Sequence, residues 1–353
     1  MTHPTGCHYI PPFVLDQLEK SDQPSIAKAA KATAAPIDKA RAARAKNAVS
    51  LTATQAATQL TPIAPTPTGT SRREVFDSET TAQQRKTLVR AEGDPVTPDT
   101  DVTATYESLG IVRTFFDKVL GRSSIDNKGL DLIANVHYRK NYMNAYWDGD
   151  EMTLGDGDGV IFTSFAKSLD VVAHELAHGV TQFTAGLVYK NQSGALNEHF
   201  SDVFGTAITQ WHLGQQAGEA DWLIGDEIMG PTLYGEALRS MREPGKAYDN
   251  PLLGQDPQPN HMDGLYKGTG DNGGVHINSG IPNRAFYLTA MELDDTVAAT
   301  RVWYHALQRL GSKASFKEAV DRIALSARVL VLAGHVPEGT PQIVRGAFRD
   351  VGL

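Results

Sequence analysis

The chain has 353 residues, of which 41% are hydrophobic, with a formal net charge of -8 and a single cysteine. That length can bury substantial cores and suggests two or three domains. The acidic balance argues against nucleic-acid binding, which needs a concentrated basic face, and one cysteine excludes an intramolecular disulfide.

Residues 9 to 20 read as a short amphipathic element, and residues 27 to 48, rich in Ala, Lys and Arg, as a solvated helix. Residues 51 to 71 are dominated by Thr, Ala, Pro and Gly, with Pro62, Pro65 and Pro67 in quick succession, the composition of an exposed linker. Exposed linkers are where proteolysis concentrates, and Arg72-Arg73 marks one candidate cut. The first 73 residues carry nine Lys and Arg against four Asp and Glu, a net of +5, which leaves 24 against 37, or -13, for the rest. A basic leader on an acidic body fits intramolecular attraction and, equally, a solvated charged helix. Met1-Thr2-His3-Pro4 lacks a basic n-region and Pro11-Pro12 interrupts the early apolar stretch, so no Sec signal peptide is expected. The longest apolar patch, around Val329 to Ala333, is far shorter than the roughly 20 residues of a bilayer-crossing helix, so no membrane span is expected either. These readings predict a soluble precursor made in the cytoplasm, with any secretion by a signal-independent route. Cys7 is either an ordinary thiol or one whose thiolate caps a metal from the N-terminal segment.

Strands are expected over Leu130–Tyr138, Tyr142–Trp147 and Glu151–Leu154, with a helix from about Val102 to Leu120. The alternation of Leu130, Leu132, Ala134 and Val136 carries the first of these. A helix from about Leu169 to Ala185 follows. From about Ser193 onward the chain is mainly helical, with helix-like apolar spacing over 281–293, 297–310, 315–332 and 339–350.

The most informative segment is Val172-Ala173-His174-Glu175-Leu176-Ala177-His178-Gly179. His174 and His178, four residues apart, stack on one helix face and can share a metal. Glu175 lies roughly 100° around the helix, where a carboxylate can reach a metal-bound water as general base. Downstream, Asn191-Gln192-Ser193-Gly194-Ala195-Leu196-Asn197-Glu198-His199-Phe200-Ser201-Asp202 offers Glu198 as a third ligand. A catalytic zinc takes three protein ligands and keeps one position open. Asp202 can accept from the second ring nitrogen of His174, and Asn197 can support His178 in the same way.

These segments, with Asn144-Ala145-Tyr146-Trp147, Gly155-Asp156-Gly157-Asp158-Gly159, Leu238-Arg239-Ser240-Met241 and Asp271-Asn272-Gly273-Gly274-Val275-His276-Ile277-Asn278-Ser279-Gly280, resemble the thermolysin-like family of zinc metalloproteases over most of the chain. The segment containing Tyr9-Ile10-Pro11-Pro12 resembles the short propeptide of the protealysin-like branch. The resemblance implies an α+β, two-lobed fold: a β-rich N-terminal lobe, an α-helical C-terminal lobe and a central zinc-binding helix, preceded by a propeptide. The boundaries expected are 1–50 for the propeptide, 51–73 for the linker with its maturation site, 74–186 for the first lobe and 187–353 for the second.

The resemblance also assigns roles. His276 and Tyr189 would stabilise the oxyanion and Asp271 would orient His276. Asn144 and Ala145 would pair with extended substrate backbone, and Arg239 would bind a substrate carbonyl. Phe162, Phe165, Val171, Ile224 and Leu238 would line the pocket for the residue after the scissile bond, which implies cleavage before bulky hydrophobic residues. The implied protein is a monomeric neutral metalloendopeptidase with one zinc, acting on peptides or proteins and held latent by its own propeptide. Acids remain at Asp170, Asp221 and Asp226, but Thr209 and Leu223 replace two carboxylates of the family's paired-calcium site, so at most one calcium is expected. Two other classes are weighed: an inactive zinc-binding protein, against which Glu175, Tyr189 and His276 all stand, and a hydrolase of small amides, against which the strand edge and Arg239 stand.

Overall fold

A computed structural model describes residues 7–34 and 71–353. The expected helix beyond residue 34, and the linker up to residue 70, lie outside the described residues. The chain divides into two compact units, one running to Phe183 and including Gly225–Glu236, the other made of Thr184–Ile224 and Ala237–Leu353.

The first unit opens with α1 (Pro12–Leu18), started by Pro11 and Pro12, whose fixed φ suits a first turn. A second helix, α2, is described over 24–34. Then come β1 (Arg73–Asp77), β2 (Thr87–Ala91), α3 (Thr100–Leu120), β3 (Leu132–Val136), β4 (Ala145–Trp147), β5 (Met152–Leu154) and α4 (Leu169–Gln182). The strands form one sheet of order β2-β1-β3-β5-β4. β1, β3 and β5 run parallel, while β2 and β4 pair antiparallel at the two edges. Asp99 starts α3 by accepting from the amides of Asp101 and Val102, and Gly121 ends it in the left-handed region.

The strands are shorter than the alternation suggests. Leu130 does not enter β3 because its carbonyl is taken by the Ser71 and Ser124 hydroxyls. The strand stops at Val136 because His137 turns to φ 51°, placing its ring between Asp99 and Asp156 at 3.0 and 2.9 Å. Tyr142 lies outside β4 because its carbonyl accepts from the Gly157 amide across a tight turn. That turn, the Gly155 to Gly159 run, is held by Asp158, whose carboxylate accepts from the amides of Val160, Ile161 and Phe162. Gly157 sits there at φ 69°, with the Phe162 carbonyl where a Cβ would be.

Helix α4 is buried on all sides from Asp170 to Gln182, the pattern of an enclosed helix rather than an amphipathic surface helix. Gly179 makes this possible, since a Cβ there would stand 3.0 Å from Ile125 and 3.1 Å from the Trp147 ring. The helix ends at Gln182, short of the expected Ala185, with Phe183 as its C-cap.

The second unit contains α5 (Asn191–Leu213), β6 (Leu223–Ile224), β7 (Arg239–Ser240), β8 (Asp249–Asn250), β9 (Gly254–Gln255), α6 (Asp271–Asn278), α7 (Gly280–Leu293), α8 (Thr296–Leu307), α9 (Phe316–Leu332) and α10 (Thr340–Asp350). β6 pairs antiparallel with β7, and β8 with β9. Asp295 and Ser315 cap α8 and α9 by accepting from the amides of Ala298 and Glu318. Buried aromatics close the core, with Trp303 stacked on Phe348 at 5.8 Å and edge-on to Phe286 at 5.1 Å. Among the described residues, no helix is long and apolar enough to cross a membrane.

Candidate active site

In the first unit, α4 carries His174, Glu175 and His178, each at most 1% exposed. The two Nε2 atoms are 3.1 Å apart. Two imidazoles bound tetrahedrally to one zinc, at ~2.0–2.1 Å each, would set these atoms ~3.3 Å apart. The pair thus presents donor atoms at the spacing one ion requires. With Glu175 it forms a group of potential ligands lying within 4.8 Å of one another. A buried His, Glu, His set of this kind fits zinc, which favours imidazole and carboxylate donors.

The same unit holds the Asn144–Ala145 edge of the sheet, and the N-terminal segment lies along it. The Tyr9 amide donates to the Ala145 carbonyl at 3.1 Å. The Ile10 amide donates to the Asn144 side-chain oxygen at 2.8 Å, and Asn144 Nδ2 donates back to the Ile10 carbonyl at 3.3 Å. From α2, the buried Thr33 hydroxyl accepts from the Met143 amide at 3.0 Å. β4 is an edge strand, and edge strands offer main-chain groups that recruit an additional chain. Here that chain is the protein's own.

Tyr9 also reaches α4. Its ring packs edge-on against His174 at 5.1 Å and against Phe165 at 6.4 Å, and its hydroxyl donates to Asp170 at 3.1 Å. Asp170 additionally accepts from the Gly225 amide at 2.7 Å and from the Ser168 hydroxyl. One acid expected to bind calcium is therefore engaged by a phenol, a backbone amide and a hydroxyl. Asp221 accepts from the Leu223 amide at 3.0 Å, and Asp226 is half-buried.

In the second unit, Glu198 faces inward from α5 at 1% exposure, and the Tyr189 hydroxyl donates to it. His276 Nε2 lies 3.1 Å from the Tyr189 oxygen and 3.6 Å from Glu198 Oε2, while its Nδ1 lies 2.6 Å from Asp271. With the Tyr189 proton given to Glu198 and a carboxylate at Nδ1, both ring nitrogens of His276 face oxygen atoms that can accept, an arrangement that favours the protonated ring. Burial lowers the affinity of this ring for its proton, but the charges of Asp271 and Glu198 outweigh burial and raise it. The glycine-rich run builds this contact: Asp271, Asn272, Gly273 and Gly274 all take positive φ. That left-handed turn folds Asp271 back so that its carboxylate also accepts from the His276 amide at 2.7 Å. A Cβ on Gly273 would meet Asn191 at 2.1 Å.

Asp202 and Arg239 form a bidentate pair in the same unit, at 3.0 and 2.9 Å, with side chains 0% and 2% exposed. Asn283 donates to Asp202 at 2.8 Å and its oxygen faces His199 Nδ1 at 2.7 Å. Trp303 donates to His199 Nε2 at 2.7 Å, and burial pushes His199 down to about 4, so it is neutral with its proton on Nδ1. Asn197 donates to the Leu187 carbonyl at 3.2 Å. His199, Asn283 and Thr33 carry no signal in the sequence, since their partners lie 84, 104 and 110 residues away. The five pocket residues are all buried: Phe162, Phe165 and Val171 in the first unit, Ile224 and Leu238 in the second.

The candidate cut at Arg72-Arg73 is part of the sheet. The Arg72 amide donates to Asp131 at 2.7 Å and its carbonyl accepts from Leu132 at 2.7 Å. The Arg73 guanidinium lies 3.8 Å over the Tyr106 ring and pairs with Glu92 at 2.6 Å, holding that carboxyl down at about 2. A protease reaching this bond must first strip the strand end out, a physical reason against the site.

Comparison with known proteins agrees with this chemistry. Residues 38–182 match the thermolysin metallopeptidase catalytic domain, and residues 185–353 its alpha-helical domain. An extracellular metalloprotease of Pectobacterium carotovorum subsp. carotovorum is 52% identical over 68% of this chain and 70% of its own length. Protease PrtS of a Photorhabdus strain is 49% identical over 67% and 65% respectively, while a thermolysin of Alicyclobacillus acidocaldarius is 46% identical over 51% of this chain but only 30% of that relative. The precursor of protealysin, a metalloproteinase from Serratia proteamaculans, has a TM-score of 0.85 at 38% identity, covering 98% of this chain and 99% of that one. The chain belongs to the thermolysin family of metallopeptidases, with a β-containing N-terminal domain and a helical C-terminal domain.

Proposed function

We propose that the chain is the latent precursor of a zinc-dependent neutral metalloendopeptidase that cuts before bulky hydrophobic residues. His174, His178 and Glu198 are the ligands, with Asp202 and Asn197 orienting the histidines. Bound there, zinc would polarise the scissile carbonyl and lower the pKa of a water. Glu175 takes the proton of the attacking water and delivers it to the leaving amide nitrogen. His276 and Tyr189 donate to the oxygen on which charge develops, with Asp271 fixing the imidazolium. Arg239, held rigid by Asp202, binds a substrate carbonyl. Phe162, Phe165, Val171, Ile224 and Leu238 bound the pocket beyond the scissile bond.

The observation that carries this reading is the convergence of the His174 and His178 Nε2 atoms beside Glu175 on a buried helix. Latency rests on residues 9 and 10, which take the strand edge that a substrate backbone would use. The segment is thus an intramolecular inhibitor, and maturation cuts upstream of Ser71. A calcium at Asp170, Asp221 and Asp226 would require Tyr9 to leave Asp170 first, so we place at most one and only in the mature form. The active species is proposed to act as a monomer outside the cell, as the name of the Pectobacterium relative suggests.

The test is to incubate the purified precursor with and without a chelator, then profile cleavage of a peptide library. Zinc-dependent removal of the N-terminal segment and cleavage before Leu, Ile or Phe support the proposal. A preference for charged residues after the cut bond contradicts the pocket assignment.

A further inference from the structure

We propose that Cys7 is a ligand of the catalytic metal in the precursor, its thiolate holding the coordination position that water needs in the mature enzyme. This rests on the zinc reading above and deepens it. Cys7 is 1% exposed and its Sγ lies within 4.8 Å of a ring nitrogen of His178. Independently, the Nε2 atoms of His174 and His178 converge at 3.1 Å, so the thiol stands beside a preformed pair of metal donors. A tetrahedral zinc with its sulfur at ~2.3 Å and a nitrogen at ~2.0–2.1 Å sets the two ~3.5 Å apart, so the thiol needs to shift by no more than ~1.3 Å.

The placement of Cys7 is imposed by its neighbours. Residues 9 and 10 are fixed to Ala145 and Asn144 by main-chain pairing. Tyr9 is fixed to α4 by its hydroxyl on Asp170 and its ring on His174. A cysteine two residues before this anchor has little freedom to leave the α4 histidines. Ligation is a simple exchange: the thiol loses its proton to solvent, the thiolate binds the metal, and one water is released, with no change in oxidation state. Thiolates are strong ligands for zinc, and a bound metal lowers the thiol pKa enough to deprotonate it at neutral pH.

The test uses the full chain carrying E175Q, which keeps the precursor intact, with cobalt(II) as the metal. A thiolate-to-cobalt charge-transfer band in the near ultraviolet is expected, and it should vanish in the E175Q, C7S chain while one equivalent of cobalt stays bound. The alkylation rate of Cys7 by iodoacetamide should rise at least ~tenfold when the metal is chelated, since a bound thiolate is not a free nucleophile; this arm decides the matter if C7S does not fold. Cobalt bound without the sulfur band, or alkylation indifferent to chelation, overturns the inference and leaves the zinc reading standing. A chain that binds no cobalt overturns both.

Discussion

Removing one oxygen atom from Tyr9 should loosen the N-terminal segment by a calculable amount. The Tyr9 hydroxyl donates to Asp170 at 3.1 Å, with Tyr9 0% and Asp170 8% exposed. Hydrogen bonds to charged groups contribute about 1.5–3 kcal/mol. In Tyr9→Phe, Asp170 keeps the Gly225 amide and the Ser168 hydroxyl, so no buried charge is orphaned and the lower end, about 1.5 kcal/mol, applies. That is roughly a tenfold increase in the open fraction of the segment. Amide hydrogen exchange reads it directly, because the amides of residues 9 and 10 are tied to Ala145 and Asn144. Their protection should fall about tenfold while the amides of β3 stay unchanged. Unaltered protection at residues 9 and 10 would refute the latch, and an equal loss in β3 would show that the substitution weakened the whole unit instead.

Three further outcomes follow from side-chain contacts. His137 is raised to about 9 by its hydrogen bond and charge contact with Asp156, helped by Asp99 against the opposing effect of burial. Its contribution to stability is therefore full below pH ~6.5 and is lost as pH rises through about 9. Denaturant titrations of wild type and His137→Gln at pH 6 and 9.5 should differ in their pH dependence by ~1–2 kcal/mol, a figure reduced for partial solvent screening; parallel curves contradict it. Gly179→Ala places a methyl against Ile125 and a Trp147 ring that is itself anchored by Gln182 at 3.1 Å. Such overpacking should destabilise by ~1–3 kcal/mol in urea unfolding. Arg239→Met removes the bidentate partner of the buried Asp202 carboxylate, to which Asn283 still donates, and should destabilise by ~3 kcal/mol; adding Asp202→Asn should recover part of the loss, and a purely additive double variant would deny the coupling.

The helical half was the most legible part of the sequence, because 3.6-residue spacing runs uninterrupted through α7 to α10 and each ends where a cap or a left-handed residue stands. The strands were legible in place but not in length. The alternation continues past Val136, yet His137 leaves the strand to bridge two aspartates, a choice made by partners 38 and 19 residues away. His174, Glu175 and His178 stood out because the role proposed for them is carried by local spacing on one helix. Asp170 did not. In a sequence it is an acid near other acids, and only the fold shows it held by a tyrosine 161 residues earlier. The surroundings of Arg72-Arg73 were hidden for the same reason, since a dibasic pair after a proline-rich run looks exposed until Tyr106, Glu92 and Gly110 are seen around Arg73.

Whether His174 and His178 hold a zinc at which Glu175 carries the proton is decided by Glu175→Ala in the mature enzyme, with bound metal counted by mass spectrometry and peptide hydrolysis measured on the same sample. One zinc should be retained per chain and hydrolysis should fall by at least ~10²-fold, the scale of a lost general base. Hydrolysis persisting at the wild-type rate with zinc bound would contradict it.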